Sequence, residues 1–351
     1  MKKKYSLIAI LFFTVIVIFS HVVHHRNYIS HKQQVKLTQD ITQAKYDDVT
    51  PEFYNNLEVE IPSLTVTTIP IKALKAIYIQ TNEPRDSLKK SIDLFHESIK
   101  DNPFLMFSEG NLSQTYYALR KFDSAYYYAR KSFLGIPKNA VHFAMIAKLY
   151  ANFGNYDSIV KSFNIVNSGR SNKNISSRAD IYRIYFASMI NFIDQVDDSL
   201  KNSVIRSAKE AKNYFLKDKD LQLLADYVIE GKNKVDIAVL NAENGSKLLS
   251  EKKYLEGINS IEQALLVRKN NMGYIQTIGL AYHNLGDHKK AIENLEILEK
   301  NNISLDPISL YVKGLSHYYL RDKIKSCKYL LKASRFGLEN AETAYNSLCK
   351  F

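Results

Sequence analysis

A chain of 351 residues with 46% hydrophobic and 12% aromatic content can bury a large core, which excludes a wholly disordered polypeptide. Its formal net charge of +12 raises nucleic acid and anionic lipid as partners. The lysines, however, stand among Asp and Glu, as in KDKDLQ and LEKNN, and no Arg-rich block with interleaved aromatics occurs, so nucleic-acid binding is not expected.

At the N-terminus Lys2, Lys3 and Lys4 precede an uncharged run from Tyr5 to Val23. As a helix this run spans about 28 Å, near the thickness of a bilayer core. Phe19, Val22 and Val23 are too large for a signal-peptidase site, so the expectation is a retained anchor over residues 1–26. The three lysines favour a tip held inside, which predicts a single-pass protein of a bacterial inner membrane with its bulk in the periplasm. His21, His24 and His25 share one helical face, with His31 nearby, but no Cys or carboxylate completes a metal set there. They read as polar residues ending a membrane helix, and no metal is expected.

Residues 27–70 read as a tether, partly extended. Pro51, Pro62 and Pro70 forbid one continuous helix, and LEVEIPSLTVTTIPI alternates like a short interrupted strand.

From Ile71 apolar residues recur at helical steps between polar turns. The pattern has a longer period. The turn Gly154-Asn155-Tyr156-Asp157 lies 34 residues after Arg120-Lys121-Phe122-Asp123, and Pro103 and Pro137 are separated by the same interval. Gly245 and Gly279 are again 34 apart, and a further copy begins at Gly314, displaced by one residue in the NNISLDP connection. Two blocks of repeats follow, 71–217 and 218–351. Between residues 167 and 235 the register fades, and both degenerate repeats and a break into two lobes fit the sequence there.

These residues resemble the tetratricopeptide repeat (TPR) family. The copy beginning at Met272 matches at Ile275, Ile278, Gly279, Tyr282, Ala291, Leu295 and Leu298. That beginning at Met106 matches at Leu112, Ser113, Tyr116, Ala125, Ala129, Ser132 and Pro137. The stretch from His142 supplies Phe143, Ile146, Ala147, Tyr150, Ile159, Phe163 and Val166. The resemblance implies an all-α, helix-turn-helix solenoid, a right-handed superhelix whose first helices line a concave face that binds a protein or peptide. On that implication the groove residues are Phe107, Gln114, Tyr117, Lys148, Asn152, Gln276, His283, Tyr311 and Tyr318.

A second resemblance rests on TIPIKALKAIYI, DNPFLMFSEG, DSAYYYARKSF, IPKNAVHF and SCKYLLKASRFGLENAETAYNSLC. They are similar to the repeat-bearing C-terminal tails of O-antigen ligase family proteins from Bacteroidetes-type bacteria. Those proteins carry a many-span membrane enzyme that is missing here, so ligase activity is not implied. The resemblance implies a cell-envelope setting and an accessory role beside surface-polysaccharide machinery; a cytoplasm-facing basic scaffold is the other alternative.

No phosphate loop, Gly-x-Ser-x-Gly elbow, His-Glu-x-x-His or Cys-x-x-Cys occurs. The chain is therefore expected to be a non-catalytic scaffold without a cofactor. Its two cysteines, Cys327 and Cys349, fit one disulfide or two separate buried thiols equally.

Overall fold

The computed structural model describes the backbone of residues 2–46, 49–83, 87–168 and 175–350, and the side chains of all of these except 2–10 and 175–177. Among the described residues the chain is all-α. The expected strand between residues 57 and 71 is reduced to one isolated bridge, Leu64 with Pro70. The polypeptide packs as two compact units, residues 1–188 and 189–351.

In the first unit α1 (Lys2–Gln43) and α2 (Pro51–Asn55) precede three helix pairs: α3 (Ile71–Asn82) with α4 (Leu88–Asp101), α5 (Phe107–Ala118) with α6 (Phe122–Gly135), and α7 (Ala140–Asn152) with α8 (Tyr156–Asn167). Helix α9 (Ile175–Met189) ends at the boundary of the unit. The second unit pairs α10 (Asp198–Tyr214) with α11 (Lys219–Glu230), α12 (Lys232–Ser250) with α13 (Tyr254–Val267), α14 (Met272–Leu285) with α15 (His288–Lys300), and α16 (Pro307–Tyr319) with α17 (Lys323–Arg335). Helix α18 (Glu339–Cys349) packs on α17, and a disulfide joins Cys327 to Cys349.

The repeat is visible in the backbone. One residue in the left-handed region separates the two helices of a pair: Arg120 and Gly154 in the first unit, Lys252, Gly286 and Arg321 in the second. In all five turns the next residue donates its N–H to a carbonyl five residues earlier, Lys121 to Tyr116, Asn155 to Tyr150, Lys253 to Leu248, Asp287 to Tyr282 and Asp322 to His317. That bond closes a Schellman turn, which satisfies helix-end carbonyls and aims the chain back along the helix it has left. In three of the five pairs the second helix is then capped at its N-terminus, by Asn155, Asp287 and Asp322, whose side-chain oxygens accept otherwise unpaired backbone amides; Lys121 and Lys253 give α6 and α13 no such cap.

Close approach of the paired helices follows from small residues at a fixed offset. Gly245 faces Ile261, Gly279 faces Leu295 and Gly314 faces Leu330, each sixteen positions later. A methyl group built on Gly245 would come within 2.8 Å of the Gly257 carbonyl oxygen, so the backbones themselves touch. In the first unit Ser113 occupies the glycine position, and its hydroxyl donates to the Ala125 carbonyl at 2.9 Å. Around these crossings lie Phe95 and Leu112 in one unit and Ile258, Ile278, Leu295 and Leu298 in the other.

The expected membrane anchor is corrected. Among the described residues no helix is long and apolar enough to cross a membrane, which overturns the expectation of a single-pass inner-membrane protein with its bulk in the periplasm. The apolar run lies in α1, with its first part, residues 5–10, outside the described side chains. Beyond Val23 the same helix carries the charged Arg26, Lys32 and Lys36. The helix does not end in a tether there. It continues to Gln43 and docks on its own unit, burying Leu37, Ser30 and Asp40. Arg26 grips Glu58 through two 2.6 Å bonds, Gln34 bridges the Leu64 carbonyl and the Val66 amide, and Tyr78 donates to Asp40 at 2.7 Å. Pro51, read as a helix breaker, opens α2 behind the Thr50 cap, where its missing N–H costs nothing.

Candidate functional site

In the first unit the first helices of neighbouring pairs, α5 and α7, lie side by side. Helical spacing puts Gln114 and Tyr117 on one face of α5, and Lys148 and Asn152 on one face of α7. The fold brings these four together. Lys148 Nζ stands 4.1 Å above the centre of the Tyr117 ring, and Asn152 Nδ2 donates to the Tyr117 hydroxyl at 2.9 Å. Gln114 Nε2 reaches Met145 Sδ at 3.9 Å. The ring of Phe122 closes edge-on against Tyr117 at 5.5 Å. Between the helices is a cavity of about 310 Å³, lined by Ser113, Gln114, Tyr117, Ala144, Met145, Lys148 and Leu149.

Its chemistry is mixed. The Tyr117 ring and Met145 offer polarisable apolar area, Gln114 offers an amide, and Lys148 supplies a single exposed cation.

Phe107 does not join them. It packs between the core clusters around Tyr78 and Leu112, because it begins α5 facing α3 and α4.

In the second unit α14 and α16 are the corresponding neighbours. Here the expected groove residues are largely spent on holding the two helices together. Gln276 Nε2 donates to Asp306 Oδ2 at 2.6 Å and to Ser309 Oγ at 2.9 Å, while the other Asp306 oxygen caps α16 through the Ser309 amide. His283 Nδ1 lies 2.8 Å from Ser316 Oγ. Burial, with His288 next in effect, holds the His283 pKa below its ordinary value. His288 stacks on Tyr319 at 4.4 Å, and the exposed Tyr318 meets the edge of Tyr319. Tyr311 packs against the core that contains Leu310 and Ala333. This unit therefore carries a polar ladder between first helices where the first unit has an open cavity. The same ladder begins in the first unit at Gln80, whose Nε2 donates to Thr115 Oγ1 at 2.6 Å.

The partners in this ladder were missed by sequence reasoning. Ser309, Ser316 and Thr115 are small hydroxyls of a kind that occurs throughout the chain, and only their position about one repeat after Gln276, His283 and Gln80 marks them. Two buried charges were missed as well. Asp226 is paired with Lys212 and with Arg268, and the fully buried Lys313 meets Glu299 at 2.6 Å under the Tyr329 ring. Each draws its partners from other helices, so nothing local in the sequence announces it.

No protein-family model matches the chain, and no curated protein matches it. Among solved structures it is similar to a tetratricopeptide repeat protein from Parabacteroides merdae, at 11% identity and a TM-score of 0.36, over 78% of this chain and 96% of that one. It is also similar to a chain of the APC/C hetero-tetramer Cut9–Hcn1, at 14% identity and a TM-score of 0.29, over 85% of this chain and 52% of that one. A third is a monomeric IFIT1 mutant with Gppp-AAAA, at 14% identity and a TM-score of 0.31, over 76% of this chain and 58% of that one. The chain thus spans little more than half the length of the latter two.

Proposed function

We propose that this TPR-like chain is a non-catalytic scaffold for protein–protein interaction, and that the cavity between α5 and α7 holds an extended peptide segment of the partner. The observation that carries this reading is the convergence of Gln114, Tyr117 and Lys148 on one open concavity, with Asn152 bonded to the Tyr117 hydroxyl, while in the second unit His283, the counterpart of Tyr117, and Gln276 are tied into the helix-to-helix ladder. An extended backbone needs amide partners and flat contact area, and these side chains offer both. Lys148 adds a preference for a carbonyl or carboxylate at one point along the segment.

Selection of random displayed peptides on the purified protein tests this. Enriched sequences are expected to lose binding to Tyr117→Ala and Lys148→Ala and to keep it with Lys161→Ala, whose exposed side chain pairs with Asp157 on α8. If no sequence is enriched, or if the enriched peptides bind Tyr117→Ala as well as the parent, the peptide reading is wrong.

A further inference from the structure

The second unit contains another cavity, of about 690 Å³, within the size range of small-molecule sites. It is built by the α10–α11 turn, the first turns of α11, the connection between α13 and α14, and α14 itself, with Ser246 of α12, Leu298 of α15 and Ile303 completing the lining. Its lining is divided by chemistry. Leu223, Met272, Leu280, Leu298 and Ile303 give an apolar part. Lys217, Lys219, Arg268 and Lys269 give a cationic part, with Asp220 and Asp226 as the carboxylates of the lining.

The cationic part is under-compensated, and the reason is specific. Asp226, 2% exposed, already serves two cations: it accepts from Arg268 Nε at 2.9 Å and pairs with Lys212. Arg268, 7% exposed, is held in place by that bond and by donation from Nη1 to the Tyr274 hydroxyl at 2.9 Å. One buried carboxylate therefore faces two cations away from bulk water, which leaves a net positive charge where the dielectric is low. Lys217, Lys219 and Lys269 form no ion pair among the described residues and extend that positive field around the opening. A fixed, buried guanidinium beside apolar walls suits a carboxylate carried on an apolar body, because the anion gains charge-assisted hydrogen bonds while its aliphatic part leaves water.

We propose that this cavity is a binding site for a small amphipathic organic acid, with its carboxylate toward Arg268 and Lys269 and its aliphatic body between Met272, Leu280 and Leu298. The site is separate from the peptide cavity of the first unit and does not rest on that reading.

Sodium octanoate is a suitable probe, titrated into the full chain by calorimetry, with octan-1-ol as the uncharged comparison. Octanoate is expected to bind and octan-1-ol to bind at least tenfold more weakly. The double variant Lys217→Ala/Lys269→Ala changes exposed side chains only and is expected to weaken octanoate by about tenfold, as loss of a charge-assisted contact implies. Leu280→Trp, which fills the apolar part, is expected to abolish it. Circular dichroism of each variant confirms the fold. The proposal is overturned if octanoate fails to bind the folded parent chain, if octan-1-ol binds equally well, or if both folded variants bind octanoate as the parent does.

Discussion

The ammonium of Lys148 lies 4.1 Å above the ring of Tyr117, on a helix one repeat away, and the same Tyr117 accepts a 2.9 Å hydrogen bond from Asn152. A cation over an exposed ring contributes about 0.5 to 1 kcal/mol, and a net hydrogen bond about as much. Tyr117→Phe is therefore expected to keep the Lys148 contact and lose only the Asn152 bond, at about 1 kcal/mol. Tyr117→Leu loses both. Urea denaturation of the single and double variants checks this; a Lys148→Ala effect that is the same in the Tyr117→Leu background would show that the two do not interact.

Gly245 and Gly279 occupy the same place in successive repeats but differ in what faces them. An added methyl at Gly245 meets Ile261 at 2.5 Å and the Gly257 carbonyl oxygen at 2.8 Å, and neither the backbone nor the β-branched side chain yields readily. At Gly279 the nearest atoms belong to Asn294 and Leu295 at 3.2 Å, which can shift by a few tenths of an ångström. Gly245→Ala is expected to destabilise by about 1 to 3 kcal/mol and Gly279→Ala by less, whereas Gly279→Leu reaches that range. Equal melting temperatures for the two alanine variants would contradict the crossing geometry.

Arg321 has φ +63° and Lys252 φ +61° at the turn position that Gly154 and Gly286 fill in other copies. A side chain in the left-handed region costs about 1 kcal/mol, which glycine avoids. Arg321→Gly is expected to raise stability by about 0.5 to 1 kcal/mol in denaturant titration. A drop would mean that the arginine side chain makes a compensating contact.

Burial holds the His142 and His283 pKa values below the ordinary 6.5, with His288 also acting on His283. The folded chain therefore binds fewer protons than the unfolded one near pH 6. Stability from these groups is complete above about pH 6.5 and is lost as pH falls below it. The melting temperature is expected to fall between pH 7.5 and 5, and His142→Leu, which removes a buried ring nitrogen without a hydrogen-bond partner, to flatten that slope. An unchanged slope in this variant would remove His142 from the explanation.

The disulfide between Cys327 and Cys349 closes a 22-residue span and fixes α18 against α17. Its loss is expected to cost about 3 kcal/mol by freeing the unfolded chain. Limited proteolysis after reduction should cut first between residues 336 and 349; unchanged digestion would show that helix packing alone retains the segment.

The period and the turns can be read directly along the chain. Glycines 245, 279 and 314, the Gly154–Asp157 turn and the 34-residue spacing show along the chain, because each acts between neighbouring helices of one pair or of successive pairs. The grouping of Gln114, Tyr117, Lys148 and Asn152 was half legible: each side chain's face follows from helical spacing, but their meeting depends on how one pair leans on the next. The packing of the helices alone tied Gln276 and His283 to Ser309 and Ser316, gave Asp226 two cations, and carried α1 past residue 26 to dock through Arg26, Gln34 and Asp40. Those outcomes join residues 14 to 42 positions apart, where partner choice is set by the packing of whole helices and no local pattern carries the information.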